Sequence, residues 1–149
     1  MEKKYNFQQV EKQMQRFWES NSVYSFDPES NSKIYSIDTP PPTVSGSLHI
    51  GHIFSYTQAE MIARFKRMQG YNVFYPFGFD DNGLPTERLV EKEEGINAKN
   101  LQRSDFYIKC IATTAKYENE FKELWQSLGF SVDWSLQYET INPIAQRIS

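Results

Sequence analysis

"KIYSIDTPPPTVSGSLHIGH", residues 33–52, decides the fold. Its first six residues alternate and are rich in β-formers, which predicts a strand over 33–38. Thr39-Pro40-Pro41-Pro42 stops that strand, because proline brings no N–H to a sheet ladder. After a short Ser/Gly loop, Ile50, Ile53/Phe54, Met61/Ile62, Phe65 and Met68 form an apolar stripe at helical spacing. A helix is therefore predicted over 50–69, with Gly70 at its C-terminal cap. "YNVFYPFGF" then supplies a second short strand around 72–75. Strand, loop, helix and strand together begin a parallel α/β unit.

Working outward, Phe7, Val10, Met14 and Phe17/Trp18 predict an amphipathic helix over 4–20, followed by a turn-rich link. On the other side, "DDNG" at 80–83 reads as a turn, and Pro85 opens a short helix that ends before Gly95. Ser104 is placed to cap a long helix carrying Tyr107, Cys110/Ile111, Thr114, Tyr117, Phe121, Leu124/Trp125 and Leu128, which Gly129 ends. The remainder reads as irregular, with a last helix after Asn142-Pro143. Two strands are few for a doubly wound sheet, which usually has about five or six. The expected architecture is thus the first half of a Rossmann-like domain: 1–32 a leading helix and link, 33–149 the half-sheet with its flanking helices.

A chain of 149 residues suits one domain with a real core. Its net charge of −3 lacks the basic surplus that advertises nucleic-acid binding. Arg64, Lys66 and Arg67 make a local basic patch, best read as a solvated helix face. The one cysteine, Cys110, excludes an internal disulfide and suits a reducing compartment, so a cytoplasmic location is expected. The N-terminus lacks the apolar segment of a signal peptide, and no run approaches the ~20 apolar residues of a membrane span.

His49 and His52 are the only two histidines. They sit where the first strand gives way to a helix, the edge at which open α/β sheets take ligands. Helix N-terminal N–H groups attract phosphates there. Gly46 lets the loop turn, and Gly51 leaves room for a close approach to the backbone. Spacing of three points both imidazoles the same way, and a protonated ring would add charge. Two such donors suit the phosphates of ATP and the charge that builds up during displacement at phosphorus. No P-loop is present. Packing or capping of the helix competes with this reading. So does a metal site completed by Asp80 or Asp81, although H-x-x-H is not the usual zinc spacing and no third histidine supports it. Asp80 in its turn is either a plain surface residue or a carboxylate placed for a substrate ammonium group.

"DTPPPTVSGSLHIGH" (38–52) and "YPFGFDDNGLPTE" (75–87) closely resemble the N-terminal catalytic segment of class I aminoacyl-tRNA synthetases, with His49-Ile50-Gly51-His52 as the HIGH signature. Within that class the resemblance is to the valine, isoleucine and leucine group, and most of all to its valine branch. It implies activation of valine by ATP, with Mg2+ accompanying the nucleotide, and transfer to tRNA(Val). It implies ATP contacts from Gly46, His49, Gly51 and His52, with Gly51 making room for adenine. Pro40 and Asp80 would take the amino-acid ammonium, and Pro41 and Thr43 would line the side-chain pocket. Thr43 stands where asparagine is commoner in that branch, and Asp81 and Asn82 receive no role. No bound metal is implied.

One methylene discriminates by only ~1–3 kcal/mol, which is why such enzymes carry an inserted editing domain. That insertion, the KMSKS loop and the anticodon-binding region are not in these residues. The segment is therefore expected to need the remainder of a synthetase chain and to be inactive in valine-dependent pyrophosphate exchange alone. A segment from the isoleucine or leucine branch, a small H-x-G-H nucleotidyltransferase and a non-catalytic remnant remain as alternatives.

Overall fold

The computed structural model describes residues 5–148 and contains the expected strand–helix–strand unit. Strand β1 (Ile34–Ser36) leads through the proline loop into α2 (Ile50–Met68) and returns as β2 (Asn72–Phe74). β1 and β2 pair in parallel, Ile34 opposite Asn72 and Ser36 opposite Phe74. The ladder gains one more bond, from the Ile37 N–H to the Phe74 carbonyl at 2.9 Å, before the prolines end it. β1 is thus shorter than the predicted 33–38.

Pairing resumes past the prolines, which the sequence did not suggest. Proline lacks a donor but keeps its carbonyl, and the Asp80 N–H donates to Pro42 at 3.0 Å while the Val44 N–H donates to Asp80 at 2.8 Å. Alongside lie two strands that the sequence reading missed. β3 (Gly78–Phe79) and β4 (Tyr138–Glu139) pair in parallel, Gly78 opposite Tyr138. Strands of two residues are too short to show a period. Yet Val73, Tyr75, Phe77 and Phe79 are all buried, so alternation runs straight through Pro76.

The helices follow their caps. Position 4, where the helix was predicted to start, lies outside the described residues; α1 (Phe7–Ser20) begins after Tyr5 and Asn6, because the Asn6 side chain accepts from Gln9 N–H at 3.2 Å. α3 (Leu84–Glu94) has Pro85 in its first turn and ends at Gly95, whose φ of +63° favours glycine. α4 (Arg103–Ser127) starts after Gln102, so Ser104 lies inside the helix and does not cap it. Gly129, φ +75°, follows its end as expected. After β4, the Asn142 side chain accepts from Ile144 N–H (2.9 Å) and Ala145 N–H (2.8 Å) to start α5 (Pro143–Ile148).

The apolar stripe of α2 was a poor guide to its packing. Ile50, Phe54, Met61, Phe65 and Met68 are each more than half exposed. The face that packs is Tyr56, Glu60 and Ala63. Glu60 is 5% exposed, and its carboxylate accepts from the Ser131 N–H (2.9 Å) and Arg64 Nε (2.7 Å). Burial pushes its pKa up, and those bonds oppose the shift. The basic patch is only partly solvated, and its side chains are engaged. Arg64 donates to the Gly129 carbonyl and lies over Trp18, and Lys66 sits 4.8 Å from the Tyr71 ring. Arg67 donates to the carbonyls of Tyr24 (3.1 Å) and Ser131 (2.8 Å). Arg64 and Arg67 clamp the link after α1 and the turn after α4 onto α2. Arg67→Met removes two charge-assisted bonds and is expected to cost about 2–3 kcal/mol in chemical denaturation; an unchanged midpoint would refute the clamp. Among the described residues, no helix is long and apolar enough to cross a membrane.

Candidate active site at the histidine loop

His49 is extended (φ −117°, ψ 169°) and stands as the N-cap of α2. Its Nδ1 accepts the Gly51 N–H at 3.1 Å, and the Nδ1 of His52 accepts the His49 N–H at 3.3 Å. The pair is a capping box built from two imidazoles, with ring centroids 4.0 Å apart. Capping and ligand binding, which the sequence set against each other, are here compatible. With both Nδ1 atoms accepting, the ring proton of each neutral histidine belongs on Nε2. Partial burial, and then the charge of His49, hold the pKa of His52 below its ordinary value. His52 is therefore a neutral Nε2–H donor at neutral pH, where the sequence reading allowed for a charged ring. His49 is exposed and His52 half-buried, so neither ring turns into the core.

The box also alters what the helix terminus can offer. The Gly51 N–H goes to His49, and the His52 N–H to the His49 carbonyl at 2.9 Å. Donors that would face an anion from the backbone are thus spent locally, and the imidazoles become the outward donors. Gly51 serves this arrangement first. A Cβ there would lie 2.9 Å from the His49 ring, so its bareness makes room for that imidazole. Gly46 has φ +129°, which fits its expected part in the turn.

Tyr56 is one helical turn beyond His52, on the same face. Its hydroxyl donates to the Pro40 carbonyl, tying the proline loop to α2. One lone pair of that carbonyl remains for another donor. Pro41 is half-buried in the same loop. Thr43 donates its hydroxyl to Asp80 Oδ2 at 3.1 Å, and the two residues form a parallel bridge. Asp80 Oδ1 accepts from Thr140 Oγ1 and the Asn82 N–H, both at 3.3 Å. Thr140 accepts in turn from Asn82 Nδ2 (2.9 Å) and the Asp81 N–H (3.0 Å). Asp80 is thus aimed by Thr43, Asn82 and Thr140. Sequence reasoning gave Asn82 no role and singled out neither Tyr56 nor Thr140. Tyr56 was discoverable from its spacing to His52, but Thr140, 60 residues from Asp80, was not.

Proline loop, histidine box and Asp80 turn therefore share one edge of the parallel strands. A shallow hollow of about 540 Å³ lies between the Ser45–Ser47 loop and α3, lined also by Arg88, Leu89 and Lys92; of the predicted site residues it includes Gly46 alone. A smaller cavity of about 230 Å³, bordered by Trp18, Tyr24 and Trp134, contains none of the predicted site residues. Among the described residues, no three His, Cys, Asp or Glu side chains are grouped to hold a metal ion.

The family model for tRNA synthetases class I (I, L, M and V) matches residues 13–147. The chain belongs to that family. Among curated class I synthetases, it is 54% identical over 148 residues to the valine–tRNA ligase of Rickettsia felis and 53% to that of Rickettsia prowazekii. Each alignment takes in 99% of this chain but only 17% and 18% of those ligases. Its structure matches a solved class I synthetase, the LeuRS in the ternary complex of Agrobacterium radiobacter K84 agnB2 LeuRS-tRNA-LeuAMS. The TM-score is 0.80 at 26% identity, over 95% of this chain and 16% of that one.

Proposed function

We propose that this chain is the N-terminal catalytic part of a valine–tRNA ligase. In the reaction, ATP and valine give valyl-adenylate and pyrophosphate, and the acyl group then passes to tRNA(Val). The observation that carries the reading is the pairing of outward imidazole donors with an oriented Asp80 on one strand edge, in a chain half-identical to valine–tRNA ligases. The domain reading stands as part of it: a leading helix and link over 1–32, and the histidine-bearing half of the Rossmann-like fold over 33–149.

The chemistry follows from the site. The valine carboxylate attacks the α-phosphorus in line, and negative charge grows on the phosphate oxygens. His49 and His52 donate Nε2–H bonds to those oxygens, and donation of this kind needs no proton transfer. Asp80 takes the ammonium group, aided by the free lone pair of Pro40. Pro41 flanks the side-chain pocket, while Thr43 contributes by orienting Asp80. Gly46 and Gly51 shape the ATP loop. Mg2+, carried in on the nucleotide, neutralises phosphate charge. The remainder of a synthetase chain and tRNA(Val) complete the cycle in the cytoplasm.

The test is a chimera in which residues 1–149 replace the matching segment of the Rickettsia felis ligase. Valine-dependent pyrophosphate exchange is expected. Exchange that depends on isoleucine or leucine would move the chain to a sister branch. Nucleotidyl transfer without amino-acid dependence would favour the small nucleotidyltransferase.

A further inference from the structure

Asp81 stands beside the ammonium-binding carboxylate and has no part in the chemistry above. It is 7% exposed, and no N–H or O–H group among the described residues reaches either of its carboxylate oxygens. α4 packs against this turn, with the Phe121 ring 6.3 Å from that of Phe79, and the group it brings beside Asp81 is another acid, Glu118. Two carboxylates have no hydrogen to share, and a buried carboxylate without a donor is costly. A single proton supplies the missing donor and removes one of the two charges.

We propose that Asp81 and Glu118 share one proton and form a positioning pair, which pins the Asp80–Asn82 turn to α4 and so fixes the direction of the Asp80 carboxylate. The last clause rests on the function proposed above; the proton-sharing pair does not. The other charged groups bearing on the pair are Asp80, from the same turn, and Glu139 of β4. Both are acids, and both favour keeping the proton. Desolvation leads the shift in each partner, pushing Asp81 up to about 6 and Glu118 up to about 8. Together they titrate as one unit. Because both acids hold protons more tightly folded than unfolded, the folded state binds the excess from the ordinary carboxylate range up to about pH 8. Stability supplied by the pair is therefore complete below the ordinary carboxylate range and is lost as pH rises through that window.

Two readouts on this 149-residue chain decide it, and neither involves ATP, valine or turnover. Infrared difference spectra should show a protonated carboxyl band at pH 7 that disappears in Glu118→Gln and in Asp81→Asn. Thermal unfolding should show a midpoint that falls from pH 5 to pH 8 in the parent and falls much less in Glu118→Gln, whose amide supplies a permanent donor to Asp81. Glu118→Leu, which supplies none, should lower the midpoint at pH 8 below that of Glu118→Gln. A parent without the band at pH 7, or a Glu118→Gln chain with the parent's pH profile, overturns the pair. A valine-inactive chimera with these signatures intact would instead overturn the functional reading alone.

Discussion

With His49 and His52 both replaced by asparagine, valine-dependent exchange in the chimera is expected to fall by at least about 10²-fold, while unfolding stability changes by less than about 0.5 kcal/mol. Asparagine separates the two roles the imidazoles combine. Its side-chain oxygen takes the place of Nδ1, and asparagine is among the preferred N-cap residues, so the bonds from the N–H groups of Gly51 and His49 can persist. What disappears is the far side of each ring, with the Nε2–H that would reach a phosphate oxygen. Alanine is the less informative change, since it removes cap and donor together and costs about 1 kcal/mol of helix stability as well. Steady-state exchange kinetics beside denaturation curves make the measurement. Full exchange in the double asparagine variant would mean that capping is the whole role of both histidines.

Trp125→Ala is expected to destabilise the chain by about 3–5 kcal/mol, a large share of the roughly 5–15 kcal/mol that holds most domains folded. Trp125 is fully buried and joins parts that are distant in sequence. Its ring lies 5.1 Å from Tyr56, 6.0 Å from Phe77 and 4.9 Å from Phe130. Through Tyr56 the same cluster supports the Pro40 loop, so loss of the indole loosens the site together with the core. Trp125→Phe should cost far less, because the buried Trp125 Nε1–H has no acceptor among the described residues and phenylalanine removes that unsatisfied donor. Equilibrium denaturation of both variants tests the contrast. Equal losses would show that the indole N–H has a partner after all, and a small loss in the alanine variant would show that the cluster is dispensable.

The two kinds of information divide along physical lines. β1, α2 and β2 were legible in the residues because proline, glycine and β-branched side chains act locally on φ, ψ and the N–H supply. The histidine loop was legible for the same reason, since both rings stand at one helix start. Burial was much less so. The stripe of α2 that looks like a core face is mostly exposed, and a buried glutamate with two arginines does the packing work. Periodicity reports that a helix has an apolar side, but which side is covered depends on what lies across from it.

From the sequence by itself came the order of strand, proline stop, histidine cap and helix, and the resemblance to class I synthetases that the family match bears out. Only the tertiary structure decided which nitrogen each imidazole leaves free, that Thr43 and Thr140 aim Asp80, and that Asp81 meets Glu118. The imidazole nitrogens are set within one turn of α2, but the other facts join segments tens of residues apart, through hydrogen bonds and burial that exist only in the folded chain. Local sequence fixes which groups are available, and chain closure over long separations fixes which of them meet.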